Sequence, residues 1–223
     1  MADDEKKMSL TGHLTDLRKN LVITLIGIAL GFLAAWNFTD PILGFLQSPI
    51  RPIQAKLLII APTEAFFTHL KVSFIAGLFL SLPLSLHQIW KFVSPGLHKS
   101  EQTLALPFVM LSTICFLIGA TFAFYVVMPF GIQFLVGYAG AAYAPSITVG
   151  NYVSFTIRML LVFGLVFEMP LVSFLMTRFG LLTPTALRKN RRYAIVLMFG
   201  AAALLTPPDV FTQVLMAGPL IIL

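Results

Sequence analysis

The stretch LALPFVMLSTICFLIGATFAFYVVM, from Leu104 to Met128, contains no charged residue. An apolar helix needs about 20 residues to cross the hydrocarbon core of a bilayer, so this stretch predicts a membrane-spanning helix. The whole chain follows this pattern, because 58% of its 223 residues are hydrophobic and 11% are charged, with a mean hydropathy of +0.91. These values predict an all-α integral membrane protein in which residues 1–223 form a single transmembrane domain.

We predict six transmembrane helices. Their approximate bounds are 21–38, 66–90, 104–128, 152–176, 193–205 and 210–223. The last two are short, and the Pro-Pro turn of residues 206–209 between them predicts an antiparallel hairpin. The sixth segment ends at Leu223 without a flanking charge, which suggests a truncated chain. The N-terminus lacks the pattern of a cleaved signal peptide.

The basic residues indicate the orientation. Eleven of the 15 lie in three regions that the predicted topology places on one side of the membrane, and the positive-inside rule makes that side cytoplasmic. Both termini are therefore predicted to be cytoplasmic. The net charge of +6 is explained by topology and by contact with anionic lipid, so we expect no nucleic-acid partner.

The long loop of residues 37–65 falls on the outer face in this topology. Its apolar pieces, Leu43 to Leu46 and Leu57 to Ile60, are too short to span a bilayer. We predict that they form interfacial helices, which together make a lid. Pro49 lies in this loop, and Glu64 is expected to cap the second span.

Two acidic residues, Asp16 and Glu101, lie on the predicted cytoplasmic face. Asp16 fits a local pair with Lys19 or Asn20 on the solvated side of an amphipathic helix, and this interpretation is favoured. Glu101 fits the first turn of the third span, where the helix dipole stabilises a carboxylate. It fits equally well a binding site for a cationic peptide.

Glu168 lies inside the fourth span, where a carboxyl is costly unless it is paired or hydrated. Its default interpretation is functional, either as a polar contact for another helix or as a proton site. Pro170 predicts a kink beside it, and we expect Lys71 and Arg158 to extend outward to the membrane surface. One hypothesis that follows is a proton-coupled secondary transporter that uses Glu168.

Near the C-terminus, Asp209 and Gln213 lie four residues apart. They fit either a helix cap or a polar ladder that contacts a partner span. The sequence has no P-loop, zinc helix or nucleophile elbow, and Cys115 stands alone in an apolar span. We therefore expect no catalytic residues, no metal site and no cofactor.

Five motifs, in order along the chain, resemble those of the TatC family, the multispanning receptor of the twin-arginine protein translocase. They are HLTDLR (13–18), WKFVSPGLHKSE (90–101), FEMP (167–170), LRKNRRY (187–193) and LTPPDVFTQ (205–213). The chain departs from the family pattern at Asp16, where Glu is usual, and at Asn20, where a basic residue is common. Arg158 has no counterpart in that pattern.

The resemblance implies two sets of site residues. The first set binds twin-arginine signal peptides of folded precursors and comprises Asp16, Arg18, Phe92, Pro95 and Glu101. The second set contacts the single-span partners TatA and TatB and comprises Glu168, Asp209 and Gln213.

The resemblance also implies a multi-copy complex in the bacterial cytoplasmic (inner) membrane, driven by the proton-motive force. The chemistry agrees, because each guanidinium of an arginine pair is a planar fork suited to one carboxylate. We expect Trp90 and Phe92 to anchor the loop at the membrane interface.

Overall fold

The computed structural model describes residues 10–53, 57–94, 105–138 and 146–178, together with seven single positions beyond Arg178. Within these ranges the chain is almost entirely helical. Four helical stretches are long and apolar enough to cross a membrane, namely Gly12–Trp36, Pro62–Leu80, Ala105–Gly137 and Val149–Arg178. They correspond to the first four predicted spans. The predicted fifth and sixth spans lie outside the described residues.

The first span is part of one long helix, α1 (Leu10–Trp36). At 1.5 Å per residue its 27 residues extend for about 40 Å, more than the hydrocarbon core requires. The predicted N-terminal amphipathic helix and the predicted span 21–38 are therefore one continuous element.

The side of α1 that carries Asp16 and Asn20 was predicted to be solvated, and this prediction was wrong. Leu14 and Leu21 are 64% and 56% exposed, whereas Asn20 is buried and His13 is half-buried. The polar side of the helix therefore faces the protein, and the leucines face outward. This is the arrangement expected beside lipid, where the bundle interior is the favourable place for polar groups.

The second span, predicted as continuous over 66–90, is broken. It consists of α3 (Pro62–Leu80) and α4 (Leu82–Val93), with a turn at Ser81. Pro83 lies in the first turn of α4, where its missing N–H is harmless. In a continuous helix its ring would clash with the carbonyl four residues earlier, so the chain turns at this point.

The third span is longer than the predicted 104–128. It runs through α5 (Ala105–Phe122), a π-helical segment (Ala123–Val127) and α6 (Met128–Tyr138). The π turn ends two residues before Pro129, and such a local rearrangement accommodates a proline without ending the helix. The apolar pattern could not place this end, because the residues that follow Met128 are also apolar.

The fourth span bends where Pro170 predicted a kink. Helix α7 (Val149–Phe167) ends at Glu168, and α8 (Met169–Arg178) continues from it. This prediction is confirmed.

The loop before the second span forms helix α2 (Thr39–Leu46) and a 3-10 helix (Ser48–Ile53). The first of the two predicted short helices is thus confirmed as a helix, but the second prediction was wrong. Residues Leu57–Leu58 form a strand, β1, that pairs in parallel with β2 (Ile147–Thr148). Ala61 is extended, as the residue before a proline prefers to be. The strand pair brings the first turns of α3 and α7 to the same level.

Two backbone-to-backbone contacts hold the spans together. Gly31 of α1 meets Gly77 of α3, and Gly119 of α5 meets the carbonyl of Phe163 in α7. Small residues permit this approach between membrane helices. The buried core continues along α5, the π turn, the start of α6 and α7, and its fully buried side chains include Phe163 and Met128.

Candidate functional site

The N-terminal end of α1 meets the C-terminal end of α4. The His13 ring stacks on the Phe92 ring with a centroid distance of 4.2 Å and an interplanar angle of 27°. These residues are 79 positions apart in the sequence. The packing of α1 against α4 therefore joins the first two sequence motifs at one end of the bundle.

Asp16 lies one helical turn from His13 on α1, so its carboxyl is close to this stack. Its side chain is half-buried, and that of Arg18 is exposed. Pro95 and Glu101 follow Phe92 in the chain but lie outside the described residues. The structure thus brings Asp16 and Phe92 to one end, with Arg18 two residues beyond Asp16.

The prediction that Trp90 anchors the loop at the membrane interface was wrong. It is 3% exposed and packs on Phe108 of α5 at a centroid distance of 4.4 Å. Its indole Nε1 and the Oε1 of Gln88 are buried without a hydrogen-bond partner among the described residues. Gln88 was not singled out from the sequence, although an amide in an apolar segment is a recognisable signal.

Glu168 lies at the junction of α7 and α8 and is 9% exposed. The Ser112 hydroxyl of α5 donates a hydrogen bond of 2.9 Å to its Oε2 atom. Sequence spacing gives no sign of this contact, because the two residues are 56 positions apart. The Oε1 atom of Glu168 is buried and has no partner in the described part of the chain. Asp209 and Gln213 lie outside that part.

Glu64 does not cap the amides of its own first turn. Its carboxylate accepts one hydrogen bond from the Ile60 N–H at 3.0 Å and another from the Gly150 N–H of α7 at 2.8 Å. The carboxylate therefore lies in the first turn of α7, where the helix dipole favours a negative charge. Pro49, the other residue predicted in this region, is buried.

Replacing Glu64 with alanine is expected to lower the Tm of the purified protein, because two backbone N–H groups lose a charged acceptor. Asp40→Asn is the matched control, since the Asp40 side chain is 85% exposed and contacts His69 at 3.5 Å. A thermal unfolding series should show a larger decrease in Tm for Glu64→Ala. Equal decreases would contradict the structural role of Glu64.

Metal chemistry finds no support in the described ranges, where no three His, Cys, Asp or Glu side chains lie together. At one end lie a carboxylate and a stacked aromatic pair, and in the apolar interior lies a carboxyl with one unsatisfied oxygen.

The apolar helices and the charged groups at their ends define a multispanning helical membrane protein. Residues 12–219 match the family model described as "Sec-independent protein translocase protein (TatC)". TatC of Desulforapulum autotrophicum is 41% identical, with 100% of this chain and 84% of that protein covered. TatC of Carboxydothermus hydrogenoformans is 42% identical, with coverages of 99% and 91%.

A crystal structure of the twin-arginine translocase receptor TatC superposes with a TM-score of 0.86 at 34% identity. The alignment covers 94% of this chain and 95% of that one. The chain therefore belongs to the TatC family and is a membrane component of the Sec-independent protein translocase.

Proposed function

We propose that this protein is the receptor subunit of its translocase and that it binds the twin-arginine motif of signal peptides. The observation that carries the proposal is the stack of His13 on Phe92. The stack joins the α1 motif that contains Asp16 to Phe92 of the second motif, which supports a site in which Asp16 and Glu101, one carboxylate from each motif, serve one peptide. Arginine suits such a site because its planar fork can form two parallel hydrogen bonds with a carboxylate.

The proposal includes an orientation. Both termini and the stacked end of the bundle face the cytoplasm, and six helices span the inner membrane. The distribution of lysine and arginine supports this topology. Precursors would then meet the receptor on the side where they are synthesised. We further propose that the protein is not an enzyme and that the proton-motive force drives transport.

Photo-cross-linking tests the peptide site. A photoreactive amino acid at Phe92, and at successive positions up to Glu101, is expected to cross-link a precursor that carries Arg-Arg. A Lys-Lys precursor should react much less, because an ammonium lacks the bidentate fork. Ile60, which is 76% exposed, is the control position because it precedes α3, at the opposite end of the second span. Equal reaction with both precursors would contradict the assignment.

Glu168 is the proposed contact for the single-span partners TatA and TatB, together with Asp209 and Gln213. Its buried Oε1 atom supports this role, because it leaves one acceptor for a donor from another helix. Several copies of the complete unit would assemble in the membrane. The Ser112 bond holds the carboxyl in place and leaves the second oxygen without a donor among the described residues.

Glu168→Ala is expected to reduce co-purification of a single-span partner about tenfold, which corresponds to one interhelical hydrogen bond of ordinary to high strength. Precursor cross-linking at Phe92 should be unchanged. Ser112→Ala is the matched control, since it removes the internal bond but keeps the carboxyl. Partner recovery at the wild-type yield from Glu168→Ala would count against the contact.

A further inference from the structure

A groove of about 480 Å³ lies between α6 and α7, beside the β1–β2 pair. Its apolar wall includes Ile132, Val136 and Phe155. Asn151, Ser154 and Arg158 line it as well, and their spacing of i, i+3 and i+7 places them on one face of α7. Both wall helices belong to candidate membrane spans.

A second cation reaches the same place from α3. The Lys71 ammonium donates a hydrogen bond of 3.0 Å to the Ser154 hydroxyl. Lys71 is nine residues into α3, and Arg158 is nine residues into α7. Because the strand pair sets the two helices at one level, both cations begin about 14 Å along their helices. The sequence-based expectation that each extends separately to the surface omits this convergence.

Charged side chains within apolar helices are costly unless they are paired or hydrated, so an anion near Lys71 and Arg158 would be favourable. In the ranges that the structure describes, the ion pair present is that of His69 with Asp40, at 3.5 Å. The Glu64 carboxylate accepts hydrogen bonds from two backbone N–H groups, and the Glu168 carboxyl accepts one from the Ser112 hydroxyl. No described carboxylate therefore neutralises Lys71 or Arg158.

We propose that this groove binds an anionic phospholipid, with the headgroup phosphate at Arg158 and Lys71. The guanidinium fork matches two phosphate oxygens, and the ammonium adds a point charge. The Ser154 hydroxyl oxygen accepts a hydrogen bond from Lys71, so its own proton can be donated to a phosphate oxygen. The side-chain amide of Asn151 supplies further donors. An acyl chain fits along Ile132, Val136 and Phe155. The apolar wall favours a lipid over a soluble anion.

The test uses the full chain, purified in detergent and titrated with phosphatidylglycerol, phosphatidylcholine or inorganic phosphate. Native mass spectrometry counts the retained lipid, and thermal unfolding reports stabilisation. The wild type should retain phosphatidylglycerol preferentially. Arg158→Gln should weaken that binding about tenfold, the scale of a lost charged hydrogen bond. Lys71→Gln should also weaken it, and Arg158→Lys should weaken it less than Arg158→Gln.

Two controls separate this site from general charge effects. Arg178→Gln removes a cation at the end of α8 and should change phosphatidylglycerol binding by less than about twofold. Asp209→Asn should leave binding unchanged. A gain in lipid affinity in Asp209→Asn would identify that carboxylate as the counterion of Arg158 and overturn the proposal.

Three further results would overturn it. The first is wild-type retention of phosphatidylglycerol by Arg158→Gln. The second is equal stabilisation by inorganic phosphate, which would indicate a soluble anion. The third is loss of a single-span partner from Arg158→Gln with lipid retention intact, which would indicate an acidic protein helix. None of these results bears on precursor cross-linking at Phe92, so the proposed function is tested independently.

Discussion

Replacing Gly77 with leucine is expected to prevent the folded protein from accumulating in the membrane. A Cβ atom on Gly77 would overlap the backbone of Gly31 and the amide nitrogen of Phe32. A Cβ on Gly31 would lie 2.5 Å from the Gly77 carbonyl oxygen. Backbone atoms cannot rotate away as side chains do, so α1 and α3 would have to separate.

Gly77→Ala is a milder substitution at the same position, and its effect on the free energy of unfolding can be measured. We expect it to lower the free energy of unfolding by about 3 kcal/mol, the upper end of ordinary overpacking. Because α1 also carries His13 and Asp16, separation of α1 from α3 should weaken precursor cross-linking at Phe92 as well.

Gly44→Ala is the matched control, since a Cβ on Gly44 meets nothing within 4 Å. Alanine is the better helix former, so this variant should be as stable as the wild type or slightly more stable. Similar unfolding curves for Gly77→Ala and Gly44→Ala would show that the contact between α1 and α3 is not tight.

Glu101→Ala is expected to abolish cross-linking of a twin-arginine precursor while the protein stays folded in the membrane. In the proposed site Glu101 and Asp16 each receive one guanidinium, and loss of one charged acceptor costs about 2–3 kcal/mol of binding free energy. That amount is a factor of about thirty or more in affinity. Cross-linking to radiolabelled precursor and membrane recovery of the variant are the two measurements.

Two further variants sharpen this test. Asp40→Asn removes a carboxylate from α2, away from the stacked end, and should leave cross-linking at the wild-type level. Asp16→Glu should be tolerated, because the family usually carries the longer acid at this position. Wild-type cross-linking in Glu101→Ala would overturn the peptide site. Loss of export in Asp16→Glu would show that the shorter acid is fitted to its own geometry.

The sequence was most informative about which residues prefer a membrane. Hydropathy predicted all four described spans, since burial in lipid depends on composition alone. Their internal breaks were harder to predict. Pro170 correctly predicted the bend at Glu168. The second span was predicted as one continuous helix despite Pro83, and Leu57–Leu58 was predicted as part of a helix; both predictions were wrong. A proline restricts the backbone locally, but the surrounding contacts decide whether the helix turns, bulges or continues.

The sequence by itself determined the class of this protein, because hydropathy, basic loops and motif order are local properties of the chain. The tertiary structure decided which distant residues meet: His13 with Phe92, Ser112 with Glu168, and Lys71 with Ser154. These pairs are 79, 56 and 83 residues apart, and no spacing rule relates them. They meet because close glycine contacts and one short strand pair set how the helices lie against each other.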